Sequence, residues 1–127
     1  MKKYKFRMLS LLTSVMLCMG NLSSVPAYAA TTQEGMRAVW ISTVYSADFP
    51  STQNDPDAQK IEFVEKLDKA KALGLNTVVV QIRPKADAFY DSDLNPWSSV
   101  LTGIQGRNPG YDPMAFMIEE AHKRGME

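Results

Sequence analysis

The sequence predicts an α/β fold in which two parallel strands are joined by a helix. Residues 77–82, TVVVQI, are apolar on both alternating faces, as in a strand that is covered on both sides. A helical apolar period precedes this strand, and a second one follows it. Because parallel neighbours need a crossover connection, the order strand, helix, strand describes one βαβ unit.

The first 29 residues predict a secretory signal peptide. Four basic residues within the first seven are followed by the apolar run Met8 to Gly20, which is too short to span a bilayer as a folded helix. Ala27-Tyr28-Ala29 is a small-x-small cleavage site. The alternative is an uncleaved anchor. Cleavage near Ala29 predicts an exported protein, secreted or in the cell envelope, with no stable membrane anchor.

Cysteine content and net charge narrow the kinds of exported protein and partner that fit this sequence. The only cysteine, Cys18, lies in the signal segment after Leu17, where a lipoprotein signal needs a small residue, so no lipid anchor is predicted. The mature chain then has no disulfide and depends on its core. Without the signal, ten basic and 14 acidic residues remain, a net charge of about −4. This balance argues against nucleic acid and anionic membranes as partners, while a neutral glycan fits.

The first predicted strand follows a short flexible leader at residues 30–35. Residues 36–44, MRAVWISTV, are rich in β-branched and aromatic side chains. A loop with two prolines follows at residues 45–57.

Residues 58–73 predict the crossover helix. One face is apolar at helical spacing: Phe63, Val64, Leu67, Ala70 and Gly74. Glu62–Lys66 and Glu65–Lys69 form favourable i,i+4 pairs on the opposite face. Gly74 is a typical residue to follow the helix end.

A long segment, 83–111, follows the second strand. Its roughly 29 residues exceed the ~12–15 at which connections without secondary structure become uncommon, so it is either functional or disordered. Its aromatic residues, among them Phe89, Tyr90 and Trp97, argue against plain disorder.

A last helix is predicted from Asp112, as N-cap, and Pro113, as first helical residue, to Gly125. Its apolar stripe is Met114, Met117, Ile118 and Ala121. A third strand is expected next, and two strands would leave a parallel sheet with two open edges. Residues 36–127 are therefore expected to be the N-terminal portion of a larger α/β domain.

Several motifs carry a resemblance to a known family. They are Arg37-Ala38-Val39-Trp40, Gln81-Ile82-Arg83-Pro84 with Asp87, Pro96-Trp97-Ser98, Leu101-Thr102-Gly103, Gln105-Gly106 and Tyr111-Asp112-Pro113. With the intervening segments, residues 35–127 resemble the start of the glycosyl-hydrolase-like 10 family of bacterial proteins.

The resemblance implies the N-terminal part of a (β/α)8 TIM barrel, two of its eight βα units, truncated relative to the family. It also implies action on glycosidic bonds in exported proteins of the cell envelope, with a polysaccharide such as cell-wall glycan as substrate class. In such a barrel, sites lie at the carboxyl ends of the strands and in the loops that follow them. The segments after both predicted strands therefore belong to the functional face.

Glycoside hydrolysis generally needs two carboxyl groups, about 5–5.5 Å apart for retention and further apart for inversion. The candidates are Asp48, Asp87, Asp91 and Asp93, but loop aspartates most often cap turns or face water. Since the essential carboxylates of many barrel hydrolases lie on later strands, no catalytic residue is assigned.

Five residues are predicted to bind substrate: Trp40, Arg83, Asp87, Tyr90 and Trp97. Sugars stack their C–H faces on aromatic rings and bond through their hydroxyls to charged and amide groups. The alternative for the three rings is packing at the barrel mouth. Arg83 either pairs with Asp87 structurally or holds substrate or a catalytic carboxylate.

No metal or cofactor is predicted. Asp91, Asp93 and Asn95 match the first ligand positions of an EF-hand loop, but Pro96 replaces the required glycine and Thr102 the required glutamate. Nor is there a Cys/His cluster typical of zinc sites. The sole histidine, His122, is predicted to face solvent in the last helical turn.

The leading hypothesis is thus the N-terminal part of an exported barrel glycosidase, inactive by itself. A non-catalytic, glycan-binding module of the cell envelope is the alternative. A third hypothesis is a product that does not fold.

Overall fold

A computed structural model describes residues 35–127 of the protein. The predicted signal peptide at 1–29 and most of the predicted leader lie outside the described residues. The described elements, in chain order, are β1 (Ala38–Ile41), a single-turn 3-10 helix (Val44–Ser46), α1 (Pro56–Ala72), β2 (Thr77–Val80), α2 (Ser99–Thr102) and α3 (Pro113–Lys123).

The two strands pair in parallel, as the sequence predicts. The register runs from Ala38 opposite Thr77 to Ile41 opposite Val80. With α1 between them, they form the predicted βαβ unit. Both strands are shorter than predicted, at four residues each, because the residues after each strand turn into loops.

Both long helices begin with the same local signal, an aspartate followed by a proline. Asp55 caps α1, its Oδ1 accepting a hydrogen bond from Ala58 N at 3.0 Å. Asp112 caps α3 in the same way. The start of α3 is therefore confirmed, whereas α1 starts two residues before the predicted residue 58, because Asp55-Pro56 is itself a helix start.

The apolar core lies between the helices and one face of the sheet. Its largest fully buried side chains are Phe49, Phe63, Phe89, Leu67, Leu101 and Met126. The rings of Phe49 and Phe63 meet edge to face, with centroids 5.5 Å apart. The core therefore draws on the loop after β1 and on the long segment after β2, as well as on α1.

The other face of the sheet is open among residues 35–127. Trp40 and Val79 are opposite each other in the register, and they are 58% and 37% exposed. The prediction that β2 is covered on both sides is thus wrong for the described residues. Alternate side chains of a strand point to opposite faces, and the helices pack on only one of them.

The chain returns to the free edge of β2 at its last residue. Glu127 N donates to Asn76 O at 2.9 Å, and Val78 N donates to Glu127 O at 2.6 Å. This alternation is the hydrogen-bond pattern of a parallel ladder. Because Gln81 N donates to Ile41 O, on β1, the ladder at Glu127 lies on the opposite edge of β2.

None of the helices between residues 35 and 127 is both long and apolar enough to cross a membrane.

Candidate functional site

The candidate site is built from the two loops that follow the carboxyl ends of β1 and β2. Ligand sites of parallel α/β folds lie at this end of the sheet. The first loop runs from residue 42 to the start of α1, and the second occupies residues 81–112.

Gln81 joins the two loops at their origin. Its Oε1 accepts hydrogen bonds from Ser42 Oγ at 3.2 Å and from the backbone N–H groups of Thr43 and Val44, each at 3.1 Å. Thr43 Oγ1 also donates to the backbone carbonyl of Gln81. The side chain of one residue therefore sets the path of the chain as it leaves β1.

The second loop is ordered by bonds between its two halves. Ala88 N donates to Pro96 O, and Ser98 N donates to Ala88 O, both at 2.9 Å. The single helical turn α2 follows directly, with the Ser98 side chain at its N-terminus. The structure therefore shows an ordered segment here, against the alternative that residues 83–111 are disordered.

Asp87 is fully buried inside this loop. Its Oδ2 accepts a hydrogen bond from Ser98 Oγ at 2.8 Å, and its Oδ1 accepts one from Lys85 N at 3.1 Å. The carboxylate has no surface toward solvent, so its role in the described structure is to hold the loop together.

Arg83 does not pair with Asp87. No salt bridge joins the two among residues 35–127, and Arg83 Nη2 donates instead to Asn95 Oδ1 at 2.8 Å. The pairing interpretation was wrong because Asp87 is buried within the loop, whereas the Arg83 side chain is exposed and bonds to Asn95. Arg83 is exposed, and a neutral amide leaves its charge unneutralised.

The three predicted rings differ in their surroundings. Trp40 lies on the open face of the sheet, one residue before the end of β1. Trp97 is half-buried, and it packs against the core. Tyr90 is half-buried in the middle of the second loop. Only Trp40 presents most of its ring to solvent.

Trp97 also borders an open polar cleft of about 390 Å³. Its other lining residues are Asp91, Asn108, Gly110, Tyr111 and Asp112. Tyr111 OH donates to Gln59 Oε1 at 2.9 Å. Burial raises the pKa of the Tyr111 phenol, so it stays a neutral hydrogen-bond donor.

The four candidate carboxylates differ in their surroundings. Asp48 is exposed, and its Oδ2 accepts a hydrogen bond from Ser42 N at 2.8 Å, which is a turn-capping role. Asp87 is buried, whereas Asp91 and Asp93 are exposed in the second loop. Within residues 35–127, no three His, Cys, Asp or Glu side chains lie close enough to hold a metal ion.

Sequence reasoning missed two residues of this region, Gln81 and Tyr45. Gln81 belongs to the motif Gln81-Ile82-Arg83-Pro84 at the end of the predicted strand, but its bonds to the first loop are visible only in the tertiary structure. Tyr45 is 81% exposed directly after β1. An aromatic residue that opens a polar loop at a strand end was the available signal.

Comparison with known proteins agrees with the resemblance seen in the sequence. Residues 35–127 match the family model described as glycosyl hydrolase-like 10. The chain is 52% identical over 106 residues to the glycosyl hydrolase YngK of Bacillus subtilis (strain 168), covering 82% of this chain and 21% of YngK. It is 40% identical over 113 residues to the glycosyl hydrolase DigH of Escherichia coli (strain K12), covering 83% of this chain and 26% of DigH. The chain thus spans about a quarter of the length of the curated relatives it matches.

Proposed function

The chain belongs to the glycosyl hydrolase-like 10 family, and on that premise we propose that it is the exported N-terminal part of a (β/α)8 barrel that binds a polysaccharide at the carboxyl ends of its strands. The proposed substrate class is cell-wall glycan. Hydrolysis of the glycosidic bond is proposed only for a chain of the relatives' length, and no catalytic carboxylate is assigned among residues 35–127.

The observation that carries the barrel proposal is the position of Glu127. A parallel ladder at the free edge of β2 supports a strand order in which each new strand is added beside the last, as in a barrel. Next to that edge lies an apolar groove of about 240 Å³, lined in part by Val80, Ile82 and Met117. A strand that continued from Glu127 would run along this groove.

The open face of the sheet supports the same proposal. Trp40 and Val79 lie on the face away from the helices, which is the interior face when a sheet of this kind closes. In a barrel, Trp40 would then lie near the mouth, below the substrate. An exposed tryptophan in that position is suited to stack against a pyranose ring.

Arg83 is proposed to contact the substrate or a carboxylate of the catalytic machinery. It is exposed and lies three residues after the carboxyl end of β2, at the start of the second loop. Its planar guanidinium has five donor N–H groups, and only one bond, to Asn95, is made within the described residues. Tyr90 and Trp97 remain proposed contacts, and Asp87 is proposed as a positioning residue.

The test is retention of the chain on purified bacterial sacculi, with cellulose as a comparison and release of reducing ends as the measure of hydrolysis. We expect retention on sacculi without hydrolysis. Trp40→Ala and Arg83→Ala should each weaken retention about tenfold, whereas Asp93→Ala, a second exposed charge in the same loop, should not. Absence of retention on both polymers would contradict the proposal.

The alternative function is a non-catalytic glycan-binding module. An assay of hydrolysis with a chain of the relatives' length distinguishes the two functions. Release of reducing ends from sacculi by that longer chain supports the glycosidase. Retention without any release supports the binding module.

A further inference from the structure

Tyr45 is the most exposed aromatic side chain near the candidate site. It is 81% exposed and lies in the single turn Val44–Ser46, directly after the carboxyl end of β1. A single exposed aromatic residue is common on protein surfaces and by itself means little. The backbone that carries this ring is what sets it apart.

Two successive residues of this turn are left-handed without being glycine. Tyr45 has φ 52° and ψ 28°, and Ser46 has φ 55°. In this region the Cβ atom of an L-residue approaches a carbonyl oxygen, so bulky side chains rarely adopt it. Such conformations persist only where the surrounding structure holds them, and they concentrate at functional sites.

The turn is held from β2. Gln81 Oε1 accepts from the backbone N–H groups of Thr43 and Val44, the two residues that precede Tyr45. Thr43 is fully buried, and its carbonyl accepts from Ser46 N at 3.1 Å. The turn is thus anchored through its backbone, and the Tyr45 ring takes no part in the core.

The second loop reaches the ring through Lys85. Its Nζ lies 5.6 Å from the centroid of the Tyr45 ring and donates to Ser99 Oγ at 3.0 Å. The ammonium group is therefore held by Ser99 on one side and by the face of the ring on the other. Tyr45 consequently stands where the loops after β1 and β2 meet.

We propose that Tyr45 is a sugar-stacking residue of the candidate site, and that its left-handed turn is retained in order to present the ring to a glycan. A tyrosine ring offers an apolar face for the C–H groups of a pyranose and a hydroxyl for its oxygens. This inference rests on the proposed function, and it adds a contact residue outside the five that were predicted.

A substitution that relieves the backbone separates this role from a structural one. Tyr45→Gly removes the ring and permits the left-handed conformation, so the melting temperature should stay equal or rise by up to about 5 °C. Retention of the full chain on purified sacculi should fall about tenfold. If the Tyr45 ring stabilised the fold instead, Tyr45→Gly would lower the melting temperature.

Ser46→Gly is the matched control, because it relieves the neighbouring left-handed residue and leaves the ring in place. It should raise the melting temperature at least as much as Tyr45→Gly, because the contact between Lys85 and the ring remains, and it should keep full retention on sacculi. Tyr45→Phe should retain most of the binding, since the stacking face remains.

Three outcomes overturn the inference. Unchanged retention of Tyr45→Gly would remove Tyr45 from the site while leaving the proposed function standing. A lower melting temperature for Tyr45→Gly would assign the ring a structural role. Failure of the unsubstituted chain to bind sacculi would overturn the proposed function, and this assignment with it.

Discussion

The buried carboxylate of Asp87 accepts a hydrogen bond from the hydroxyl of Ser98 at 2.8 Å, across eleven positions of the chain. This bond closes the loop after β2 on itself and places the loop's second half beside its first. The side chains proposed to meet substrate, Arg83 and Trp97, lie in these two halves. The geometry of the candidate site therefore depends on a buried pair that does not itself face the site.

Breaking that pair should loosen the loop. Asp87→Ala leaves the Ser98 hydroxyl and the Lys85 N–H without their acceptor, and we expect a loss of about 2–3 kcal/mol in the free energy of unfolding. Ser98→Ala should lower the free energy of unfolding by about 1–2 kcal/mol. It should also speed amide hydrogen exchange at residues 88 and 98. Urea unfolding and exchange by NMR measure both. Asp93→Ala is the control, and an equal loss there would contradict the assignment.

Gln59 should be among the least replaceable polar residues. It is buried, its Nε2 donates to the carbonyls of Thr52 and Leu101, both at 2.8 Å, and its Oε1 accepts from Tyr111 OH. Gln59→Leu preserves volume but removes all three bonds, leaving Thr52 O and Tyr111 OH without this partner and Leu101 O with only its bond from Asn54 N. We therefore expect a loss of about 2–3 kcal/mol in the free energy of unfolding. Urea unfolding measures the loss.

A double-mutant cycle sharpens this prediction. Tyr111→Phe removes one bond and should cost about 1 kcal/mol alone, but close to nothing when Gln59 is already leucine. Additive losses would show that the two side chains do not act as a pair. Gln105→Leu, at an exposed position, should change stability by less than about 0.5 kcal/mol.

The ion-pair network of α3 should make stability depend on pH. Hydrogen bonds from Lys123 and then Arg124 hold the pKa of Glu120 below its usual 4.5. A carboxylate whose folded-state pKa is lowered stabilises the fold above its unfolded pKa and loses that contribution as pH falls through the folded value. Arg124 also binds Asp68 of α1, at 2.6 Å, which links the two helices.

We therefore expect Glu120→Gln to be less stable than the unsubstituted chain at pH 7, with the gap closing as the pH falls below 4.5. Urea unfolding across a pH series measures the gap. Glu65→Gln, which removes a carboxylate without an ion pair among residues 35–127, should show no such change. A gap that does not vary with pH would exclude this network as its cause.

Gly74 should be required for the end of α1. Its φ is 79°, and an added Cβ would meet no atom within 4 Å, so a substitution there acts on the backbone alone. Gly74→Ala should cost about 1 kcal/mol, measured by urea unfolding. Gly35→Ala also has free space for a Cβ but no left-handed backbone, so it should be neutral. Equal effects at both positions would refute the backbone explanation.

The sequence by itself determined the order of the two strands and the two long helices. Apolar periodicity and β-branched runs are local signals, as is the Asp-Pro pair that starts α3, and they predicted the βαβ unit and the last helix. Asp55-Pro56 carries the same local signal, which places the start of α1 two residues before the predicted one. The motifs distributed over residues 35–127 were specific enough to indicate the family.

Only the tertiary structure decided which polar side chains hold the loops and which face solvent. Gln59 and Tyr111 are 52 positions apart, and Gln81 contacts residues almost 40 positions earlier. Asp87 and Arg83 looked alike as charged loop residues, yet one is buried and the other exposed. Hydrogen bonds and burial depend on which segments meet in space, and local residue patterns carry almost no information about such distant pairs.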